Sequence, residues 1–157
     1  MANGTGNDFD FQVGDWAVHH RRLVGRLVNS STWEEFQGAC SMRTVLGGHG
    51  NVEDNVIQIP SGTYRALALR SFDPATREWA IWWLDARAPH SLDVPVIGGF
   101  EKGVGTFYAD DILDGRPIRI RFHWLDTSGD TPRWEQAFSA DKGATWETNW
   151  TMQFRRA

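Results

Sequence analysis

Residues 133–154 read RWEQAFSADKGATWETNWTMQF. Side chains of an extended chain alternate between two faces. In the first half, Trp134, Gln136 and Phe138 therefore share a face. In the second half, Trp146, Thr148, Trp150, Met152 and Phe154 share one. Between the halves lies SADKGATW (139–146), where Asp141 can accept hydrogen bonds from nearby backbone N–H groups. Gly143 can take a positive φ there without strain, and Trp146 can pack back under the turn. Two alternating runs joined by turn chemistry predict an antiparallel hairpin.

The rest of the chain repeats this grammar. Turn signals recur at 47–51, 60–62, 73–78, 97–99, 113–115, 127–132 and 141–144, and short runs rich in Val, Ile, Thr, Phe and Trp lie between them. Strands are expected at 14–28, 34–46, 51–59, 63–73, 77–86, 103–110, 116–126, 132–140 and 146–155. No amphipathic helix longer than two turns is visible, though FDFQV (9–13) suits a short helical turn. Trp79, Ile81, Trp83 and Asp85 share one face, as do Ile118, Ile120, Phe122 and Trp124, and these faces are expected to point inward. The direction of the polar face Asn51, Glu53, Asn55 stays open, because Asp54 breaks the pattern of the opposite side. A meandering sheet of this size closes or splits to remove its edges. With no linker and no repeat, the expectation is one domain over 1–157, with 1–8 a flexible N-terminus.

Composition narrows the function classes. The chain has 157 residues, 41% hydrophobic and 23% charged, which suits one globular domain with a real core. A net charge of −4 argues against nucleic acid or an anionic membrane surface as the partner. The opening MANGTGNDFDF lacks the basic and apolar regions of a secretory signal, and the longest apolar run, AIWWL (80–84), is far too short to span a membrane. A cytoplasmic location is the expectation. The one cysteine, Cys40, permits no internal disulfide and is expected to pack in the core. Nine tryptophans and nine phenylalanines are the unusual feature, and they mean either an aromatic core or a cavity for a flat or apolar molecule.

SADKGATW resembles the Asp-box motif that recurs in sialidases and other β-propellers. It occurs once here, in a chain too short for such a propeller, and turn chemistry alone accounts for it. No pair of carboxylates is singled out for glycoside hydrolysis. Dinucleotide and Walker motifs are absent, as are a His-Glu-x-x-His sequence and a cysteine pair. His19 and His20 are adjacent and so point apart on a strand. No metal site is expected.

The opening FDFQVGDWAV (9–18) carries Gly14-Asp15-Trp16 at the start of the first strand. A Gly-x-Trp there resembles the calycin superfamily, which includes lipocalins and fatty-acid-binding proteins. That resemblance implies that Trp16 closes the barrel floor under an arginine from near the last strand, a place that Arg155 or Arg156 fits. The run FDFxxGxW, WEEFQG, LGGHGN, FDPATREWAIWWLDAR, FYADD, GRPIRIRFHW and RWEQAFSADKGATWETNW covers nearly the whole chain. It resembles a bacterial family of unknown function with calycin-like barrels. The implied fold is all-β, a single antiparallel calycin-like barrel of about eight to ten strands. The resemblance implies a cavity and no reaction.

The favoured expectation is binding of a small apolar or aromatic organic molecule inside the barrel. Trp16, Trp83, Trp134 and Trp150 would line it, with Tyr64, Gln136 and Thr148 as polar or part-polar contacts. Gln136 and Thr148 interrupt apolar faces, so each either finds a protein partner or faces a ligand. An alternative is a cofactor-independent isomerase, cyclase or hydratase in the same cavity. His20 or Asp85 would then be the general acid/base, Asp85 through a raised pKa at the barrel mouth. Against these stand a hydrogen-bonded core histidine and an Asp85–Arg87 salt bridge. A further alternative is haem held by His20; otherwise no cofactor is expected. Long edge strands make a homodimer conceivable.

Overall fold

The computed structural model describes residues 3–157 and is a closed barrel of ten antiparallel strands. The strands are β1 (Gly14–Leu23), β2 (Trp33–Val45), β3 (Gly50–Ile59), β4 (Gly62–Asp73), β5 (Glu78–Asp85), β6 (Val96–Glu101), β7 (Val104–Leu113), β8 (Arg116–Leu125), β9 (Arg133–Ser139) and β10 (Glu147–Arg156). Each pairs with its neighbour in sequence, and β1 pairs with β10 to close the ring. Closure leaves no unpaired edge, which is how a sheet of this size avoids templating another chain. The edge-strand argument for a homodimer therefore does not apply. No helix among the described residues is long and apolar enough to cross a membrane.

Nine strands were expected, and β6 is the tenth. Its centre, Ile97-Gly98-Gly99, carries the glycines of a turn, yet it pairs with β5 and β7. A Cβ at Gly98 would collide with the Thr106 carbonyl of β7. Gly98 is there because the two backbones approach too closely for a side chain. The first strand also ends earlier than expected, at Leu23, and the loop beyond it holds Leu27 and Asn29 at φ 57° and 56°.

One end of the barrel is plugged. A 3₁₀ turn, Asp10–Gln12, enters ahead of β1 and carries Phe9 and Phe11 inside. Phe9 packs edge-on against Trp79, Phe100 and Trp124 at centroid distances of 5.0, 5.0 and 6.0 Å. The Trp16 indole donates to the Gln12 carbonyl (2.8 Å). The Arg156 guanidinium lies 3.8 Å from the Trp16 ring centre and donates to the Val13 and Phe11 carbonyls. Trp16 thus closes the floor under an arginine of the last strand. In the described part of the lead, Arg77 Nε donates to the Gly4 carbonyl (3.0 Å) and the Trp79 indole to Asp8 Oδ2 (3.2 Å).

The polar stripe of β3 points inward. Asn51, Glu53 and Asn55 are buried, whereas Val52 and Val56 face out. The reason lies on β4. Arg70 is 2% exposed, donates to Glu53 Oε2 (2.6 Å) and Asn51 Oδ1 (2.9 Å), and lies 4.6 Å from the Phe9 ring centre. A buried charge is tolerable only with such partners.

Candidate functional site

The end opposite the plug is open. The loop after β1, the loop 86–95 after β5 and the turns after β3, β7 and β9 gather there. Below them lies a cavity of about 420 Å³. Its walls are apolar: Trp83 of β5, Ile118, Ile120 and Phe122 of β8, Trp134 and Phe138 of β9, and Trp150 and Met152 of β10. These positions alternate with outward residues, so strand periodicity alone delivers them to the interior. The indole of Trp150 meets those of Trp134 and Trp83 edge-on at 5.5 and 6.0 Å, and Phe122 meets Trp134 at 4.9 Å. The three tryptophans form one continuous wall.

The rim is charged. Arg22, Arg26, Arg87, Asp85, Asp93 and Asp111 all border the cavity. Arg22 donates to Glu34 (3.1 Å), and its guanidinium sits over the Phe36 and Trp150 rings. Arg87 grips Asp85 through Nε and Nη2, the shortest contact being 2.7 Å, and lies 3.5 Å from the Tyr64 ring centre. Arg26 differs. It rests over the Phe138 ring, half-buried, and among the described residues it makes no hydrogen bond and no ion pair with a carboxylate. Asp93 stands near it at the mouth. Desolvation pushes the Asp93 carboxyl above its ordinary range, Asp111 and Asp85 add to this, and Arg26 opposes it.

The expected site residues divide. Tyr64, Trp83, Trp134, Gln136, Trp150 and Asp85 border this one cavity. Gln136 spends its amide N–H on Asn149 Oδ1 (2.8 Å). Trp16 is at the floor and does not border the cavity. Thr148 is on the outer face. A bulge between Thr148 and Trp150 shifts the register of β10, so Thr148 pairs with outward Ala137 while Trp150 pairs with inward Gln136. One extra residue reverses the parity of everything before it. Trp146 goes outside with Thr148 and packs under Arg121, 4.4 Å from the guanidinium carbon. The turn preceding it behaves as the hairpin reading expected: Asp141 Oδ1 accepts from the Thr145 N–H (2.8 Å) and the Ser139 hydroxyl (2.7 Å), and Gly143 takes φ 90°.

His20 points inward but lies behind Trp150. Its Nδ1 accepts from the Trp150 indole (3.1 Å), its ring stacks on Phe36 at 4.8 Å, and a Cβ at Gly38 would come within 2.9 Å of Nε2. Burial, helped by Arg22 and His19, drives its pKa down to about 3. Asp85 is held below the ordinary carboxyl range, chiefly by the Arg87 hydrogen bonds. The raised pKa that general acid/base work at Asp85 would need is thus replaced by its opposite. Cys40 is buried, and burial pushes its thiol pKa up. Among the described residues no group of three His, Cys, Asp or Glu side chains could hold a metal ion.

Sequence reasoning missed Arg26, Asp93 and Asp111. Arg26 fell inside the overlong first strand. Asp93 sits in a loop without periodicity, and Asp111 closes an inward face, Phe107–Ala109–Asp111, that was not traced. Comparison of the chain with protein-family models found no match, and comparison with the curated proteins found none either.

Proposed function

We propose that the barrel binds a small organic molecule whose apolar or aromatic body enters the open end and whose polar head stays at the rim. The cavity carries this reading: about 420 Å³, walled by Trp83, Phe122, Trp134, Trp150 and Met152. Ligand sites commonly have this size and this mixture of aromatic walls with a few polar groups. The rim supplies both signs. Arg26 has a guanidinium to donate, and Asp93 and Asp111 have carboxyl oxygens to accept. A head that accepts and donates, such as a hydroxyl, phenol or carboxylic acid, suits it.

An acid/base role for His20 or Asp85 is not part of the proposal. A histidine neutral down to about pH 3 and an arginine-clamped carboxylate are poor proton carriers at neutral pH. Haem is not part of it either, because His20 spends Nδ1 on Trp150 and turns Nε2 toward Gly38 rather than the cavity. The test is a titration with N-phenyl-1-naphthylamine, read as quenching of tryptophan emission together with dye emission excited through tryptophan. One saturable site is expected. Unsaturable, non-specific quenching would refute the cavity reading.

A further inference from the structure

Beneath the main cavity, toward the plug, lies a second space of about 20 Å³. Trp83, Phe122, Trp134 and Met152 border both spaces. That volume is enough for one water-sized group, which needs about 10–15 Å³. Its lining surface is almost wholly apolar, and Glu53, Arg70 and Trp124 are the residues along it that carry polar groups. Two N–H donors of these residues are unspent. Arg70 uses Nη1 on Asn51 and Nη2 on Glu53, while its Nε and the Trp124 Nε1 are buried without any partner among the described residues. Arg70 and Trp124 are each 2% exposed. Buried donors are seldom left so, because each forfeits its hydrogen bonds to water. Glu53 already neutralises the Arg70 charge, so the site asks for a neutral acceptor rather than a second anion.

We propose that this space is an acceptor subsite of the ligand cavity, where Arg70 Nε–H and Trp124 Nε1–H hold one neutral oxygen. The inference rests on the cavity reading above and sharpens its ligand class. The preferred molecule carries a polar head at the rim, an apolar body, and a carbonyl or ether oxygen at the far end. From Phe138 at the rim to Trp134 is four strand residues, a rise of about 13 Å at ~3.3 Å per residue, which suits a body of about ten carbons.

The test displaces bound N-phenyl-1-naphthylamine with matched acids: decanoate against 9-oxodecanoate, and dodecanoate against 11-oxododecanoate. The charged end of each stays at the rim, since burying a carboxylate beside Glu53 is far costlier than burying a ketone. In a cavity without donors the ketone weakens binding, because its desolvation is uncompensated. With the two donors in place, the oxo acid of one or both lengths binds about ten-fold more tightly than its parent. In Trp124→Phe that preference falls to about two-fold or less while the parent acid keeps its affinity. Oxo acids binding equally to or more weakly than their parents would overturn the inference, as would a preference undiminished in Trp124→Phe. Should that variant fail to fold, the sign of the wild-type preference still decides. Dye that binds but yields to none of the acids also overturns it, leaving the cavity intact; dye that never saturates overturns the cavity reading itself.

Discussion

Arg70 and Glu53 meet inside the barrel at 2.6 Å, both almost wholly enclosed. Attraction in such a place is offset by the desolvation of both groups, so the pair adds little net stability while intact. Removing one partner strands the other. Glu53→Gln is expected to cost about 3–5 kcal/mol in urea unfolding, and a loss under 1 kcal/mol would mean that the arginine finds another partner. His20 makes a second residue-scale prediction. Its folded pKa of about 3 lies below the ordinary 6.5, so between those values the unfolded chain binds the extra proton. Stability from this group is complete above pH 6.5 and falls as the pH drops toward 3, by on the order of 5 kcal/mol in all. His20→Gln keeps an acceptor for the Trp150 indole and cannot titrate in this range. It should flatten urea midpoints between pH 3 and 6.5; an unchanged slope would assign the acid sensitivity elsewhere. Alternation showed that His20 faces inward with Trp16. It could not show that Trp150, far along the chain, would cover it, because the pairing of β1 with β10 arises only on closure.

At the scale of elements, small departures from regular strands decide what points where. The bulge in β10 turns Trp146 and Thr148 outside while Trp150 stays in the cavity wall with Met152. Pattern reading sees an unbroken row of five residues there, since Asn149 carries no mark of being the inserted one. Similarly, Gly98 reads as a turn and is a strand. The β5, β6 and β7 backbones come together over it, and Gly98→Ala would drive a methyl into Thr106. Its cost is expected at about 1–3 kcal/mol, measured by thermal unfolding. A neutral effect would mean that β6 can shift without loss. The inward face of β8, the strand β9 and the turn after it were legible because their alternation is regular and their turn chemistry complete, whereas β10 was legible only beyond its bulge. The inward polar stripe of β3 was not legible, because its direction depends on Arg70 across the strand pair, and burial of a charge is set by partners rather than by pattern.

Over the whole molecule, the barrel divides into a filled half and a hollow half. Phe9 and Phe11 fill the floor with their own rings, while above Met152 the rings of Trp83, Phe122, Trp134 and Trp150 line a space that no side chain fills. Phe9→Ala is expected to destabilise by about 3–5 kcal/mol, because the plug holds the floor as a unit with Trp79, Phe100 and Trp124. The barrel class and its meander follow from turn spacing, and the floor tryptophan from the resemblance that Gly14-Asp15-Trp16 carries. The mixed-charge rim does not, since it is assembled from loops with no period. The account turns on the hollow half being a binding site. Its most direct measurement is the N-phenyl-1-naphthylamine titration carried out on the wild type and on Ile120→Trp, whose larger side chain would intrude on the cavity while the strand pairing stays. The account predicts one saturable site in the wild type and several-fold weaker binding in a variant that still unfolds cooperatively. Equal saturable binding by a folded Ile120→Trp would place the dye elsewhere and contradict it.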